Sequence, residues 1–286
     1  MQLTGRCAGL VARVLSSAWP RAARRFGFWY RRQTVLHPRW CSPIGWETTV
    51  RLPNGAAMAA PFREVQGMSL ILDACWEPEV TERILNNLKP GDVFIDAGAN
   101  MGYYSLLASK AVGPDGLAIA FEPSAANLRH LLANLAINDC SNVVVISMAL
   151  SDRAEVAKLW SAPYYNTGVC SLRDSRFVGP ADFHLTGTAR LDDFQMLRDL
   201  GPRASVLKVD VEGLELKVLR GAEALLRASP RLRVVCELSP EWYSSAELVN
   251  YLQSLGYHGE YYSAGVWGPL AGVLPTRQCN AWFWRD

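Results

Sequence analysis

The chain has 286 residues, half of them apolar and a fifth charged, which suits one large domain or one domain with an extension. Its net charge of +2 is uneven: the first 46 residues hold eight arginines and no acid, and the other 240 hold 21 Lys and Arg against 27 Asp and Glu. An acidic body lacks the basic footprint that a nucleic-acid substrate demands, and seven scattered cysteines with no C-x-x-C pair argue against a zinc site or a disulfide framework.

Residues 1–46 form an Arg-rich, Ser-containing extension. Its composition matches a mitochondrial transit peptide, an amphipathic helix touching anionic lipid, or a basic tail. Cytoplasmic residence is the simplest expectation, with a mitochondrial location as the alternative if the source is eukaryotic. No run reaches the ~18 apolar residues of a membrane span, so only peripheral membrane contact through the basic segment is open. A second unit, 47–90, should be a hairpin and a helix packed on the core. Glu47–Leu52 reads as a strand, Pro53-Asn54-Gly55 as its turn, and the residues up to Leu72 as further extended chain. A short helix follows Trp76-Glu77-Pro78-Glu79 and stops at Lys89-Pro90-Gly91.

From 91 to 286 strands and helices alternate. Strands are expected at Val93–Asp96, Leu117–Phe121, Asn142–Met148, Val206–Val211 and Leu232–Leu238. Helices are expected near 102–112, after Ser124, over 214–228 and over 245–255. In the second helix Leu128, Leu131, Leu132 and Leu135 should share one buried face. Residues 151–190 break the rhythm and read as an irregular polar segment with one possible strand, Val156–Trp160. Over 161–190 this should be a lid on the acceptor side, across the sheet edge from the cofactor loop, with Tyr164, Tyr165 and Asn166 meeting the acceptor. Segments 259–262 and 281–285 should close the sheet as an antiparallel pair. The alternation implies a doubly wound, mostly parallel sheet.

Ligands of such sheets lie outside the carboxyl ends of the strands, where Asp96, Glu122, Asp210, Glu212 and Glu237 fall. The first strand ends Asp96-Ala97-Gly98-Ala99-Asn100-Met101-Gly102. That spacing departs from the G-x-G-x-x-G of a pyrophosphate cradle, and the acid before it favours a cation. S-adenosylmethionine carries a sulfonium, an ammonium and a ribose, and Glu122 can accept both ribose hydroxyls. Period two places Lys208, Asp210 and Glu212 on one side of a strand that should be apolar on both faces. The plain alternative is an internal Lys208–Asp210 ion pair that fixes a loop.

The runs V-F-I-D-A-G-A-N-M-G-Y-Y-S-L-L, A-F-E-P-S, L-K-V-D-V-E-G-L-E-L-K-V-L-R-G-A and V-V-C-E-L-S-P-E closely resemble the FkbM family of S-adenosylmethionine-dependent methyltransferases, over about residues 70–258. Trp76–Glu79 and Leu191-Asp192-Asp193 also look like family features. The resemblance implies a Rossmann-like class I methyltransferase sheet of seven strands with one reversed. It implies O-methylation of a hydroxyl on a sugar, glycan, glycolipid or polyketide-type small molecule. By position, Asp96, Gly98, Asn100 and Gly102 match the family's cofactor loop, Glu122 its ribose acid and Asp210 the acid near the transferred methyl. The adenine should lie near Met148–Leu150 and Asp152.

Methyl transfer to an alcohol needs alignment and a base. Asp210 and Glu237 are the first candidates, then Glu212 and Lys208. His184 is the only histidine of the irregular segment and a further candidate. Asp192 and Asp193 with Asp210 offer oxygen ligands for a divalent ion, but capping a helix is the simpler role for the first two, so no metal is expected. The competing readings are an NAD(P)-dependent oxidoreductase and a non-catalytic S-adenosylmethionine-binding module.

Overall fold

The computed structural model describes residues 47–61, 64–161, 170–172, 182–270 and 274–286. Tyr164, Tyr165 and Asn166 and the basic segment 1–46 lie outside these residues. β1 (Glu47–Arg51) and β2 (Ala57–Pro61) pair antiparallel across the Asn54-Gly55 turn. The chain then turns helical rather than staying extended: α1 (Val65–Asp73) buries Met68, Leu70 and Ile71. Its start packs so tightly that a Cβ on Gly67 would stand 2.2 Å from the Pro61 carbonyl oxygen. α2 (Pro78–Asn86) follows, with Pro78 at its first turn.

The main alternation is β3 (Val93–Ala97), α3 (Tyr103–Val112), β4 (Leu117–Phe121), α4 (Ala125–Ala136) and β5 (Val143–Ile146). An inserted sheet comes next: β6 (Ala149–Leu150), β7 (Val156–Ser161), β8 (Cys170–Ser171) and β9 (Asp182–Ala189), in the order β6-β9-β7-β8. Where the sequence reads as irregular, the chain thus builds a β-arm. β7 and β9 pair over six positions, from Val156 opposite Gly187 to Ser161 opposite Asp182.

The chain rejoins the main sheet through α5 (Gln195–Leu200) and β10 (Ala204–Val209). The helix expected over 214–228 is two pieces, α6 (Glu215–Arg220) and α7 (Glu223–Ala228). The break falls at Gly221, where a Cβ would meet the Ser151 carbonyl oxygen at 2.1 Å; the backbone of another segment occupies that face. β11 (Arg233–Leu238), α8 (Ser245–Ser254), β12 (His258–Ser263), β13 (Val266–Pro269) and β14 (Cys279–Trp284) complete the chain.

The main sheet runs β13-β12-β14-β11-β10-β3-β4-β5. Seven of these strands form the doubly wound core, with β14 reversed against both β11 and β12. β13 is an eighth, edge strand, hairpinned onto β12 through Ala264 and Gly265, both at positive φ as a tight hairpin turn requires. From β3 the chain winds outward to β4 and β5, then crosses back to β10 on the other side of β3. The carboxyl ends of β3 and β10 therefore flank the switch point.

Alternation along β3 decides what faces which layer. Val93, Ile95 and Ala97 join the core with α6–α8, and Phe94 joins the core with α1–α4. Asp96 and Lys208 share parity with Phe94 and Val206, so both are directed to the α3 layer. In α4 the buried face is Asn127, Leu131, Asn134 and Leu135; Leu132 is exposed, contrary to the apolar reading. The unpaired edge of β2 is the reason. Asn134 accepts from the Ala59 N–H and donates to the Met101 carbonyl, and Asn138 accepts from the Ala57 N–H and donates to its carbonyl. A row of asparagines satisfies backbone groups that would otherwise be buried unpaired.

Candidate active site

The loop after β3 is shaped by its neighbours. The N–H groups of Gly98 and Ala99 both donate to the Phe121 carbonyl at the end of β4, at 3.0 and 2.9 Å. Gly98 stands at φ +86, and a Cβ there would lie 1.9 Å from the Asp210 carbonyl oxygen. Gly102 stands at φ +89 and is filled from the other side by Leu131, 2.4 Å from its Cβ position. Both glycines are thus demanded by close packing and left-handed backbone. Gly98 lines both cavities described below, and Gly102 lines neither of them.

Glu122 anchors the loop. One carboxylate oxygen accepts the Asn100 N–H at 2.8 Å, and the other accepts the Ser124 N–H at 2.8 Å and the Asn127 amide at 3.3 Å. Burial pushes its pKa up to about 7, although these donors favour the charged form. The side-chain oxygen of Asn100 is sequestered from solvent and accepts no hydrogen bond.

A narrow cleft of about 60 Å³ opens beside Glu122, bounded by Gly98, Asn100, Met148, Leu150, Asp210 and Glu212. Ligand pockets typically span roughly 300–1,000 Å³, so a nucleoside-sized ligand requires its walls to part. The arm supplies one wall through Leu159, Cys170 and Leu172. The Ser171 hydroxyl donates to the Glu212 carbonyl at 2.8 Å. The arm therefore covers the cofactor loop directly, which corrects its expected place across the sheet edge from that loop.

A second cavity, about 190 Å³, adjoins the first and shares Gly98, Asn100, Asp210 and Glu212 with it. Its other walls include Glu64, Gln66, Trp76, Glu77, Tyr104, Lys208, Glu237 and Gln278. Lys208 donates to Asp210 at 2.9 Å and lies 4.9 Å from the Tyr104 ring centre. Burial pulls its pKa down, but the carboxylates of Asp210, Asp96 and Glu77 more than reverse this, and it ends raised. The ion pair weighed from the sequence is present, and it sits in a cavity wall. Glu212 has left the strand: its φ is +57, so period two does not extend to it. Burial, then repulsion from Asp210 and Glu237, pushes its pKa well up. Glu237 is held by the Ser239 hydroxyl at 2.8 Å and by the Gln278 amide; burial and Asp210 push it up to about 7.

Five expected residues stand elsewhere. Asp96 is fully buried, accepts from Ser105 at 2.6 Å and lines neither cavity. Its parity aims it at α3, behind Lys208, so its influence reaches the cavity through that ammonium. Asp152 is absent from the cleft wall and accepts from the Ser151 hydroxyl at 3.2 Å, while Met148, Ala149 and Leu150 do line the cleft. His184 is exposed on the arm. Asp192 caps α7, accepting from the N–H groups of Ala224 and Leu225, and Asp193 is exposed. Glu77 was not singled out from the sequence as a site residue. It accepts from the Tyr104 hydroxyl at 2.8 Å and the Asn280 amide at 2.9 Å, and burial with Asp210 repulsion raises its pKa. Its place in Trp-Glu-Pro-Glu, where it occupies left-handed backbone at φ 42, was the available signal.

The methyltransferase FkbM domain model matches residues 96–258, more than half of the chain. The chain belongs to the FkbM methyltransferase family. The match starts at Asp96, so Trp76–Glu79 lies outside it. Methyltransferase sdnD of Sordaria araneosa is 32% identical over 167 residues, covering 48% of this chain and 62% of that protein. The 31-O-demethyl-FK506 methyltransferase FkbM of Streptomyces tacrolimicus is 29% identical over 239 residues, 73% of this chain and 88% of that one. The AMB antimetabolite synthetase AmbE of Pseudomonas aeruginosa is 29% identical over 224 residues, 66% of this chain but 10% of that protein. The chain thus spans less than two thirds of two of these relatives.

The cofactor of this FkbM methyltransferase is S-adenosylmethionine. The cleft fits it chemically. Its walls carry the acids Glu122, Asp210 and Glu212, chemistry suited to a cationic ligand, and no basic side chain lines the described walls to receive a pyrophosphate. The Glu122 oxygen that accepts the Asn100 N–H retains a lone pair, while the other already holds the Ser124 N–H and the Asn127 amide. Family membership and this donor set displace the oxidoreductase reading. Among the described residues no helix is long and apolar enough to cross a membrane.

Proposed function

We propose that this methyltransferase acts on oxygen, methylating a hydroxyl of a sugar, glycan, glycolipid or polyketide-type small molecule. The observation that carries this reading is the pair of adjoining cavities with a common wall of Gly98, Asn100, Asp210 and Glu212. One cavity suits the donor; the other is lined by carboxylates, the amides of Gln66, Asn100 and Gln278, and aromatic rings suited to a polyhydroxylated acceptor. The name of the Streptomyces relative, a 31-O-demethyl-FK506 methyltransferase, also points to oxygen.

When bound, S-adenosylmethionine supplies an electrophilic methyl on a sulfonium. Glu122 would hold its ribose hydroxyls, and Asn100 and Gly98 shape the loop beside that carboxylate. Asp210 and Glu212, on the wall the two cavities share, would stabilise its positive charge. Glu237, on the acceptor side with a pKa of about 7, takes the proton of the attacking hydroxyl. Lys208 holds Asp210 in place through the 2.9 Å ion pair. The acidic body offers no duplex-binding footprint, which favours a small-molecule or glycan acceptor over nucleic acid.

The test is transfer of an isotope-labelled methyl group to a panel of polyols, glycosides and macrolide alcohols, with the product position read by mass spectrometry and NMR. Glu237→Gln should lower kcat by about 10²–10⁴-fold, the usual weight of a general base, and leave cofactor affinity unchanged. A methyl found on nitrogen or carbon, or full activity of Glu237→Gln, overturns the assignment.

A further inference from the structure

Glu77 is braced more firmly than a surface turn requires. It stands at φ 42, left-handed backbone that is costly for a residue with a Cβ and foreign to the residue before a proline. Contacts from neighbouring elements hold it there. The Thr81 hydroxyl donates to the Trp76 carbonyl at 2.7 Å, which ties the turn to α2. The Tyr103 hydroxyl meets that of Thr81 at 3.2 Å, and the Tyr103 ring stands edge-on to Tyr104, with ring centres 5.0 Å apart. The Tyr104 hydroxyl donates to one Glu77 carboxylate oxygen at 2.8 Å, and the Asn280 amide from β14 donates to the other at 2.9 Å. Both partners are donors, the pattern an ionised carboxylate takes. Backbone strain of this kind clusters at functional sites.

The brace ends on Lys208. The Tyr104 ring that Glu77 holds has its centre 4.9 Å from the Lys208 ammonium. The same ammonium binds Asp210 at 2.9 Å. Glu77 and Lys208 also attract one another by charge. A run of contacts therefore leads from Glu77 to Tyr104, Lys208 and Asp210. The first three line the second cavity and are absent from the described walls of the cofactor cleft, whereas Asp210 lines both. Lys208 is thus a fixed cation that competes with any ligand cation for the Asp210 carboxylate. Its hold on Asp210 weakens as its charge is shared with other groups. Glu77 shares it by charge, and the Tyr104 ring by its face.

We propose that Glu77 is a positioning residue that sets the preference of the cofactor cleft for the sulfonium donor over its neutral product. By sharing Lys208 with Asp210, and by fixing the Tyr104 ring against that ammonium, it leaves the Asp210 carboxylate available to a second cation. This rests on the placement of Asp210 near the sulfonium given above. Once the methyl is transferred the sulfonium is a thioether, and the same balance of charge favours release of the product. S-adenosylmethionine and S-adenosylhomocysteine differ by one methyl and one positive charge. The ratio of their affinities therefore reads the negative charge that the cleft offers the sulfonium. A residue that only held α2 against β14 would change stability, or both affinities together, and leave that ratio alone.

The test titrates the full chain with each of the two ligands by calorimetry. Glu77→Gln keeps the shape and removes the charge, and the preference for S-adenosylmethionine should fall by about threefold to tenfold. Tyr104→Phe cuts the bond to Glu77 without removing a charge, and should lower the same preference by about twofold or more. Asp210→Asn should lower it at least as far as Glu77→Gln. Adding Glu77→Gln to Asp210→Asn should lower it no further, because both act on one charge. An unchanged preference in Glu77→Gln, while Asp210→Asn lowers it, overturns this inference and leaves the Asp210 reading standing. An unchanged preference in Asp210→Asn overturns both. Additive losses in the double variant also overturn the inference, since Glu77 would then act on the ligand directly. Should Glu77→Gln fail to fold, Tyr104→Phe decides by the same criterion, and a preference it leaves unchanged overturns the proposal.

Discussion

At the scale of single residues, the site turns on how much a carboxylate can be asked to do. Glu122 closes the end of β4, shapes the loop after β3 through the Asn100 N–H and keeps one lone pair on that same oxygen beside the cleft. Replacing it by Ala removes charge-assisted hydrogen bonds worth about 1.5–3 kcal/mol. S-adenosylmethionine affinity in Glu122→Ala should fall by about one to two orders of magnitude, with circular dichroism unchanged; an unaltered dissociation constant by calorimetry would remove Glu122 from the cofactor site. Glu122 was legible in the sequence because it ends an apolar strand at a fixed distance from the first acid. Asp96 shows the limit of that reasoning. Its position at the end of a strand was clear, but which layer it faces depends on strand parity, and parity sends it to Ser105 rather than the cleft. Glu77 shows the opposite limit. It lies about twenty residues before the first motif and reaches the site only because α2 and β14 pack together, a tertiary fact that no local pattern contains.

At the scale of elements, the apolar strands and the periodic helices were readable, because burial on both faces leaves continuous hydrophobic runs. What could not be read was polar structure made by long-range pairing. The arm looked irregular because β7 and β9 lie 26 positions apart at their starts and expose Val156, Phe183 and Leu185, so neither shows clean alternation. The break at Gly221 is set by Ser151, seventy positions away. The asparagines of α4 belong here too. Asn134 is fully buried and ties three segments: its own helix, β2 through the Ala59 N–H, and the loop after β3 through the Met101 carbonyl. Asn134→Ala leaves one buried donor and one buried acceptor unpaired, each costing about 1–3 kcal/mol. The variant should lose about 2–4 kcal/mol of stability in urea at an unchanged m-value. It should also open amide exchange at Ala59 ahead of global unfolding. A loss under about 0.5 kcal/mol, the ordinary range of a surface change, would show that water replaces both partners and that β2 is not held by this helix.

At the scale of the whole molecule, the carboxyl end of the sheet stores acid groups out of their ordinary range. Burial pushes Glu122, Glu215 and Glu237 each up to about 7. An acid whose folded pKa lies above its unfolded one holds its proton more tightly in the folded chain. Its contribution to stability is full below the unfolded value, near 4.5, and is lost as pH rises toward about 7. The cofactor's positive charge reverses this for the groups that face it. Binding favours their ionised form, so protons leave on binding near neutral pH and affinity climbs as pH rises to about 7. Glu215 separates the two effects. It lines neither cavity, accepts from the Val211 and Gly213 N–H groups, and leaves its other oxygen unpaired. If the three acids together cost about 2 kcal/mol across this window, Tm of the free protein should fall by roughly 4–8 °C between about pH 5 and 7.5. The gap between free and S-adenosylmethionine-bound Tm should widen over the same interval. Glu215→Gln should flatten the first slope and leave the widening gap intact. A free-protein Tm that rises across this window, or a gap that narrows, would mean that these acids are ionised before the cofactor arrives and that their burial is relieved by water.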